Sequence, residues 1–231
     1  MLKPGDPGVE TLTRIQQNLL ARAERKILTG LCRRMPMWVT PDILTGIGVF
    51  GAIVIFAGYA ASTGDAAFLW LAIAGYGVQW FGDSMDGSLA RYRRIERPSF
   101  GYFLDHSCDG LTSLLILCGI GLSPFVRLDV ALLALAGYLL LSIHAYLAAR
   151  VLGELKLSYL NAGPTELRLA LILLTLAMMI GGEWPILFGR VSVFDLIVGG
   201  VGLLLIALFV VQTIATANRL AAFDEDLKRN S

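Results

Sequence analysis

Six long apolar segments constrain the fold of this chain more than any other feature of its sequence. They run over residues 40–62, 66–91, 99–123, 128–151, 165–182 and 191–218. A helix needs about 20 mostly apolar residues to cross the hydrocarbon core of a bilayer. Charged residues make up only 16% of the chain, whereas soluble domains carry about 25%. The sequence therefore predicts an all-α integral membrane protein with six transmembrane helices.

The residues before the first apolar segment show an amphipathic pattern. Between Val9 and Leu31, apolar residues recur at helical spacing and basic residues occupy other faces. Such a helix lies in the membrane interface with its basic face toward anionic head groups; the alternative is a helix packed on cytoplasmic loops. We therefore expect an N-terminal interfacial helix within residues 1–39, a transmembrane domain over 40–218 and a cytoplasmic tail over 219–231.

The distribution of basic residues predicts the orientation of the chain. All lysines and arginines except Arg127 and Arg190 lie before the first segment, around the second-to-third and fourth-to-fifth loops, or after the sixth segment. Basic residues near span ends favour the cytoplasmic side, so both termini are expected there, in agreement with an even number of spans. The net charge of +1 gives no reason to expect nucleic acid as a partner.

Four aspartates interrupt the second and third apolar segments near their cytoplasmic ends. Asp83 and Asp86 are three residues apart, and Asp105 and Asp109 are four apart. Each spacing places its pair on one helix face, and the short turn between the segments makes the two helices antiparallel neighbours. Ionisable residues within spans are costly and mark functional sites. Clustered carboxylates repel one another, and hard divalent cations such as Mg²⁺, Mn²⁺ or Ca²⁺ remove that repulsion.

Small residues share the helix faces of these aspartates. Gly87 and Ala90 follow Asp83 by one and two turns, and Gly101 precedes Asp105 by one turn. They leave space for a bulky ligand beside the carboxylates. The alternative is close helix packing, which small residues also serve in membranes.

The acids and small residues together resemble the signature of the CDP-alcohol phosphotransferase family. The matching string is Asp83-x2-Asp86-Gly87-x2-Ala90-Arg91-x9-Gly101-x3-Asp105-x3-Asp109. Every signature position holds the expected residue. The spacer after Arg91 is one residue longer than the commonest family spacing, and it lies in the arginine-rich turn, where one extra residue is tolerated. The string covers only residues 83–109, but the six-span arrangement extends the resemblance to most of the chain.

This resemblance implies a phospholipid-synthesising reaction at a pyrophosphate. A CDP-linked donor is cleaved, CMP leaves, and the substituted phosphate passes to an alcohol acceptor; at least one substrate is a lipid. The family analogy implies two divalent ions, Mg²⁺ or Mn²⁺, held by Asp83, Asp86, Asp105 and Asp109. Asp109 is also the expected general base that activates the acceptor hydroxyl. Family members are often homodimers, so a homodimer is expected.

The resemblance also implies a nucleotide pocket. Its candidate residues are Gly87, Ala90, Arg91, Gly101, Asp42 and Thr45. Arg91 is either a phosphate contact or a structural ion-pair partner. Asp42 replaces the asparagine of a family segment Pro-Asn-x-x-Thr near the start of the first span. It is expected either to accept a hydrogen bond from the cytosine amino group or to cap the span.

Two features bear on the acceptor, and they disagree. Between spans four and five, basic residues resemble those that bind the phosphate of a soluble acceptor in phosphatidylinositol-phosphate synthases, which use CDP-diacylglycerol. The candidates are Arg150, Lys156, Glu166 and Arg168, with Thr165 expected to cap span five. The alternative is ordinary loop charge on the cytoplasmic side.

His106 gives the opposite indication. A histidine after the third signature aspartate resembles the choline/ethanolamine phosphotransferase branch, in which a CDP-amino alcohol is the donor and diacylglycerol the acceptor. His106 is therefore a candidate acceptor-binding residue, or it packs beside the metal site. Outside enzymes, the main alternative is a carboxylate-based ion transporter. Such sites usually lie near the bilayer midplane on broken helices or inverted repeats, whereas these acids lie near span ends and no internal repeat is evident.

Overall fold

The computed structural model describes residues 13–15, 21–152, 154–156, 163–182, 185–186 and 191–229. This part of the chain is mainly helical, which agrees with the predicted class. Its helices are α1 (Ala21–Arg34), α2 (Pro41–Ala61), α3 (Leu69–Arg93), α4 (Pro98–Leu122), α5 (Leu128–Leu152), α6 (Pro164–Gly181) and α7 (Val193–Arg229). A short 3₁₀ helix, Ala66–Phe68, precedes α3.

Two small β pairings accompany the helices. β1 (Thr13–Ile15) pairs in parallel with β2 (Glu154–Lys156), and β3 (Pro185–Ile186) pairs antiparallel with β4 (Val191–Ser192). The predicted helix over residues 9–31 was therefore wrong in its N-terminal part, since residues 13–15 form a strand and α1 begins at Ala21. β-branched residues at two of these three positions favour an extended backbone. The pairing joins the N-terminal segment to the chain that follows α5.

Local signals set the starts of several helices. A proline occupies the first turn of α2, α4 and α6, where the missing N–H costs nothing and the fixed φ suits a helix. At α2 the Thr40 hydroxyl oxygen accepts a hydrogen bond from the Ile43 N–H at 3.3 Å. The proposed capping role of Asp42 was thus wrong, because Thr40 is the cap. α3 ends at Arg93, and its C-cap residue Arg94 has a left-handed φ of 57°.

The helix α2 forms the centre of the N-terminal half, and it packs along both α3 and α4. Gly82 of α3 lies directly against the backbone of Gly48 and Leu44, where a side chain would collide. Farther along, the Tyr59 hydroxyl lies 2.5 Å from the Thr175 hydroxyl of α6. These contacts fix α3, α4 and α6 around one shared helix.

The apolar face of α1 is buried against the protein. Leu28 and Cys32 pack with Leu44 of α2 and with Met85 and Leu89 of α3. The opposite face exposes basic residues, among them Arg25, Lys26, Arg33 and Arg34. The helix is therefore amphipathic, and its apolar side contacts α2 and α3.

Five of the described helices, α2, α4, α5, α6 and α7, are long and apolar enough to cross a membrane. The second predicted span, residues 66–91, corresponds to α3, which has 25 residues but carries Asp83, Asp86, Arg91 and Arg93 in its C-terminal half. These ionisable residues lower its mean hydropathy. The chain is thus a multi-pass membrane protein, with α3 set apart by the residues of the candidate site.

Candidate active site between α3 and α4

A cleft lined by α2, α3 and α4 contains two of the signature aspartates, Asp83 and Asp105, and the other two interact with them. It is lined by Thr45, Gly48 and Val49 of α2, Gln79 and Asp83 of α3, and Asp105, Cys108 and Thr112 of α4. Asp109 interacts electrostatically with the three other aspartates, and Asp86 interacts with Asp83 and Asp105. The convergence expected from helix spacing is therefore present in the fold.

Asp86 is held by two hydrogen-bond donors. The Thr45 hydroxyl donates to its Oδ2 at 2.7 Å, and the Gly87 N–H donates to its Oδ1 at 2.5 Å. Hydrogen bonds to a carboxylate are about twice as strong as bonds between neutral groups. Thr45, a candidate nucleotide-binding residue, thus orients one of the acids across the α2–α3 interface.

Arg168 of α6 reaches the acidic cluster. Its guanidinium forms an ion pair with Asp83, and its Nε donates to Gln79 Oε1 at 2.5 Å. The two ion-paired side chains are only 12% and 24% exposed, so solvent screens this pair weakly. Gln79 lies one turn before Asp83, and a single arginine therefore bridges two polar groups on one face of α3.

On α4, Asp105, His106 and Asp109 place donor atoms within 4.8 Å of one another. The His106 ring lies between the rings of Tyr102 and Tyr146, with centroid distances of 4.2 and 4.8 Å. Its Nδ1 is 3.5 Å from Asp105 Oδ2. Neither ring nitrogen has a hydrogen-bond partner among the described residues. His106 is thus fixed by aromatic contacts beside Asp105.

The predicted nucleotide-binding residues have different surroundings. A Cβ on Gly101 would meet no atom within 4 Å, whereas one on Gly87 would lie 3.2 Å from the Arg91 guanidinium. Arg91 donates to Ser88 at 3.4 Å. Asp42 pairs with Arg97 at the starts of α2 and α4.

Ala90 is half-buried, one turn beyond Asp86. Gly101 is exposed, and open space lies beside it.

The predicted acceptor residues are only partly brought together. Arg150 is exposed near the end of α5, Lys156 belongs to β2, and Asn161, part of the same polar segment, lies outside the described residues. Glu166 accepts a hydrogen bond from the Gly163 N–H at 3.0 Å. Gly163 is the N-cap of α6, so the expected cap at Thr165 was wrong. A glycine precedes the proline there, and the Thr165 hydroxyl has another acceptor.

That acceptor is Glu24 of α1, which sequence reasoning missed. Its Oε1 accepts hydrogen bonds from Thr165 Oγ1 at 2.8 Å, Trp80 Nε1 at 3.0 Å and Ser84 Oγ at 3.2 Å. Arg93 was also missed as a structural residue, and it donates to three carbonyl oxygens of the α1–α2 linker. An acidic residue on an otherwise basic helix was the one local signal for Glu24.

Comparison with known proteins identifies this arrangement. The family model described as CDP-alcohol phosphatidyltransferase matches residues 38–215. The chain belongs to this family. An archaetidylinositol phosphate synthase from Methanothermobacter thermautotrophicus is 37% identical over 109 residues, which is 47% of this chain and 51% of the relative. One from Pyrococcus horikoshii is 36% identical over 104 residues, which is 45% of this chain and 52% of the relative. The chain thus spans about half the length of the curated relatives it matches.

The donor set in the cleft fits the divalent metal that the CDP-alcohol phosphatidyltransferase family generally uses. Four carboxylates interact within one site, and Arg168 forms an ion pair with one of them. Oxygen donors select hard cations such as Mg²⁺ and Mn²⁺. The negative charge of the carboxylates that Arg168 does not neutralise is therefore suited to divalent cations.

Proposed function

We propose that this protein is a membrane-bound CDP-alcohol phosphotransferase that makes a phospholipid and releases CMP. The observation that carries the proposal is the group of four electrostatically interacting signature aspartates on α3 and α4. Two of them, Asp83 and Asp105, line a cleft that α2 also lines. Asp83, Asp86, Asp105 and Asp109 hold two divalent ions, Mg²⁺ or Mn²⁺. When bound, these ions neutralise the pyrophosphate charge and stabilise the leaving CMP.

In the proposed reaction Asp109 is the general base. The acceptor oxygen forms a bond to the phosphorus that carries the donor's alcohol, while the bond between that phosphorus and the CMP oxygen breaks. Asp109 takes the proton of the acceptor hydroxyl, and CMP leaves with the bonding electrons. General-base catalysis typically contributes about 10²–10⁴-fold in rate. Thr45 supports the site by fixing the orientation of Asp86.

The nucleotide occupies the space next to the small residues of α3 and α4. Gly87, Ala90 and Gly101 line it, and the open space beside exposed Gly101 leaves room for the nucleotide. Arg91 lies against Gly87 and contacts a phosphate. Asp42 lies near the same end of the site. Its ion pair with Arg97 limits how far its carboxylate reaches toward the cytosine ring.

A CDP-linked lipid is the donor that the comparisons favour. The relatives are named synthases of archaetidylinositol phosphate, which supports a CDP-diacylglycerol type of donor over the CDP-amino alcohol of the choline/ethanolamine branch. A phosphorylated alcohol is then the acceptor. Arg150, Lys156 and Arg168 bind its phosphate, and Glu166 and His106 border its site.

The proposed arrangement in the membrane has six spans, the five apolar helices and α3. α3 is included because it lies between the spans α2 and α4. Both termini and the cleft face the cytoplasm, and α1 lies at the cytoplasmic interface with its basic face outward. A homodimer is the proposed assembly.

Metal-dependent nucleotide binding tests the proposed function directly. Purified protein should bind CDP in the presence of Mg²⁺, and EDTA should abolish both binding and turnover with CDP-diacylglycerol and a panel of alcohols. Asp83→Ala should lose binding, whereas Asp129→Ala, at an exposed aspartate paired with Arg127, should retain it. Full turnover in excess EDTA contradicts the two-metal mechanism. Turnover only with CDP-choline or CDP-ethanolamine and diacylglycerol contradicts the assigned donor.

A further inference from the structure

Two separate connections join α6 to the acidic face of α3. The first is direct, since Arg168 of α6 contacts Asp83 and Gln79. The second passes through α1, because Thr165 donates to Glu24 and Glu24 also accepts from α3. Thr165 and Arg168 are three residues apart and therefore lie on neighbouring positions of one helix face. The two connections run side by side.

The α3 end of the second connection flanks Asp83. Trp80 and Ser84 are four residues apart, and both donate to Glu24 Oε1 at 3.0 and 3.2 Å. Trp80 precedes Asp83 by three residues, and Ser84 follows it directly. One carboxylate oxygen of α1 thus accepts hydrogen bonds from both α3 and α6. The donors on α3 lie next to Asp83, which pairs with Arg168. Donors to a carboxylate bind more strongly than donors to a neutral acceptor.

We propose that Glu24 is a positioning residue, which couples the N-terminal helix to the active site by holding α6 where Arg168 reaches Asp83. The inference rests on the proposed function in taking Asp83 as a cation ligand. Because the guanidinium and a divalent cation compete for the same carboxylate, the position of α6 sets how readily Asp83 accepts the cation. A displacement of α1 therefore changes cation affinity without any change in the four aspartates.

Manganese binding to the full-length protein, without nucleotide, measures this competition. Arg168→Gln removes the competing guanidinium and should tighten Mn²⁺ binding. Glu24→Ala and Thr165→Val loosen the second connection, and they should tighten binding about two- to tenfold, the factor that corresponds to one net hydrogen bond. Thr165→Ser keeps the hydroxyl and should match the wild type. Glu225→Ala, at an exposed acid of α7, is the control for lost charge.

The double variant decides the route of the effect. If Glu24 acts through Arg168, Glu24→Ala should add nothing to Arg168→Gln. An undiminished effect of Glu24→Ala in the Arg168→Gln background overturns the proposal, as does wild-type Mn²⁺ affinity in both Glu24→Ala and Thr165→Val.

Hydrogen exchange supplies a second measurement that needs no metal. The amides of residues 167–170 should exchange faster in Glu24→Ala and Thr165→Val than in Glu225→Ala and Thr165→Ser, because the first turns of α6 lose their attachment to α1. Unchanged exchange in both variants overturns the proposal. If the wild type and Asp83→Ala both bind no Mn²⁺, the proposed function fails, and exchange alone still decides whether Glu24 positions α6.

Discussion

At the scale of single residues, Asp86 and Asp109 belong to one group of interacting aspartates but have different surroundings. Thr45 and the Gly87 N–H hold both oxygens of Asp86, whereas Asp109 lies beside Asp105 and His106 on α4. A carboxylate whose two oxygens are both held by hydrogen bonds is suited to binding a cation in a fixed geometry. An acid next to the proposed acceptor side suits proton transfer. The two residues should therefore respond differently to the same substitution.

Asp109→Asn keeps the side-chain size and one oxygen but removes the basic group. It should retain substantial metal-dependent CDP binding while turnover falls by about 10²–10⁴-fold. Asp86→Asn should lose binding and turnover together. Calorimetric CDP titrations and initial rates on the same preparations make the comparison. Near-normal turnover in Asp109→Asn assigns the base to another group, and His106 is the next residue to test.

Thr45 has two proposed roles, a nucleotide contact and a donor to Asp86, and one substitution separates them. Thr45→Val removes the 2.7 Å hydrogen bond to Asp86 and keeps the side-chain shape. If orienting Asp86 is the main role, Mn²⁺ affinity without nucleotide should fall about 10- to 100-fold, as expected for a hydrogen bond to a charged group. Thr63→Val, whose hydroxyl bonds Ala60 O at the other end of α2, is the control. Weaker CDP binding with unchanged Mn²⁺ affinity makes Thr45 a nucleotide contact only.

At the scale of helices, hydrophobic length and spacing predicted much of the structure. The six apolar segments correspond to α2–α7 with boundaries mostly within a few residues, because apolar length and flanking prolines are local signals. The convergence of Asp83 and Asp86 with Asp105 and Asp109 also followed from spacing alone. A short turn between two helices leaves few ways to arrange such faces.

Contacts between distant parts of the chain were beyond sequence reasoning. Glu24 joins α1 to residues 56 and 141 positions away, and no local pattern marks such partners. The strand at residues 13–15 depends on pairing with residues 154–156, so helical periodicity alone mispredicted it. The ion pair of Arg168 with Asp83 likewise joins distant parts of the chain, and no local pattern predicted it.

Glycine spacing on α3 gives a prediction about how the helices pack. A Cβ at Gly82 would overlap the backbone of Gly48 and Leu44, whereas one at Gly77 of the same helix meets nothing within 4 Å. Gly82→Ala should therefore destabilise the protein by about 1–3 kcal/mol through overpacking. Gly77→Ala should be neutral or slightly stabilising, since alanine favours a helix. Thermal unfolding in detergent compares the two, and equal melting temperatures contradict the close α2–α3 packing.

At the scale of the whole molecule, charge and site location lead to one arrangement in the membrane. The cleft lies near the turn between α3 and α4, where Arg93, Arg94 and Arg97 cluster. The opposite ends of these helices join connections at residues 62–68 and 123–127, whose charged residues are Asp65 and Arg127. Basic residues near span ends remain on the cytoplasmic side. The proposed six spans therefore open the site toward the compartment that contains soluble nucleotides.

Cysteine labelling from each side of the membrane tests this topology. The native Cys32, Cys108 and Cys118 are first replaced by serine, although Cys32 is buried and burial raises the pKa of its thiol, which makes it a poor target. A cysteine at Gly64, between α2 and α3, should react with an impermeant maleimide added outside the cell. A cysteine at Glu96, between α3 and α4, should react only after the membrane is permeabilised. Glu96 is a better site than Arg94, because the left-handed φ of Arg94 disfavours substitution.

These two sites bracket α3, the helix whose span is least evident from hydropathy. If α3 crosses the bilayer, Gly64→Cys and Glu96→Cys must react from opposite sides. If α3 instead lies on the membrane surface because of its charged half, both positions react from the same side. The five apolar helices are then the only spans among the described helices, and an odd number of spans places the termini on opposite sides. A cysteine at exposed Arg229 distinguishes the two arrangements independently, because with α3 as a span it should be protected from the external reagent together with Glu96→Cys. Labelling of Gly64→Cys and Arg229→Cys from the outside in intact cells contradicts the six-span topology.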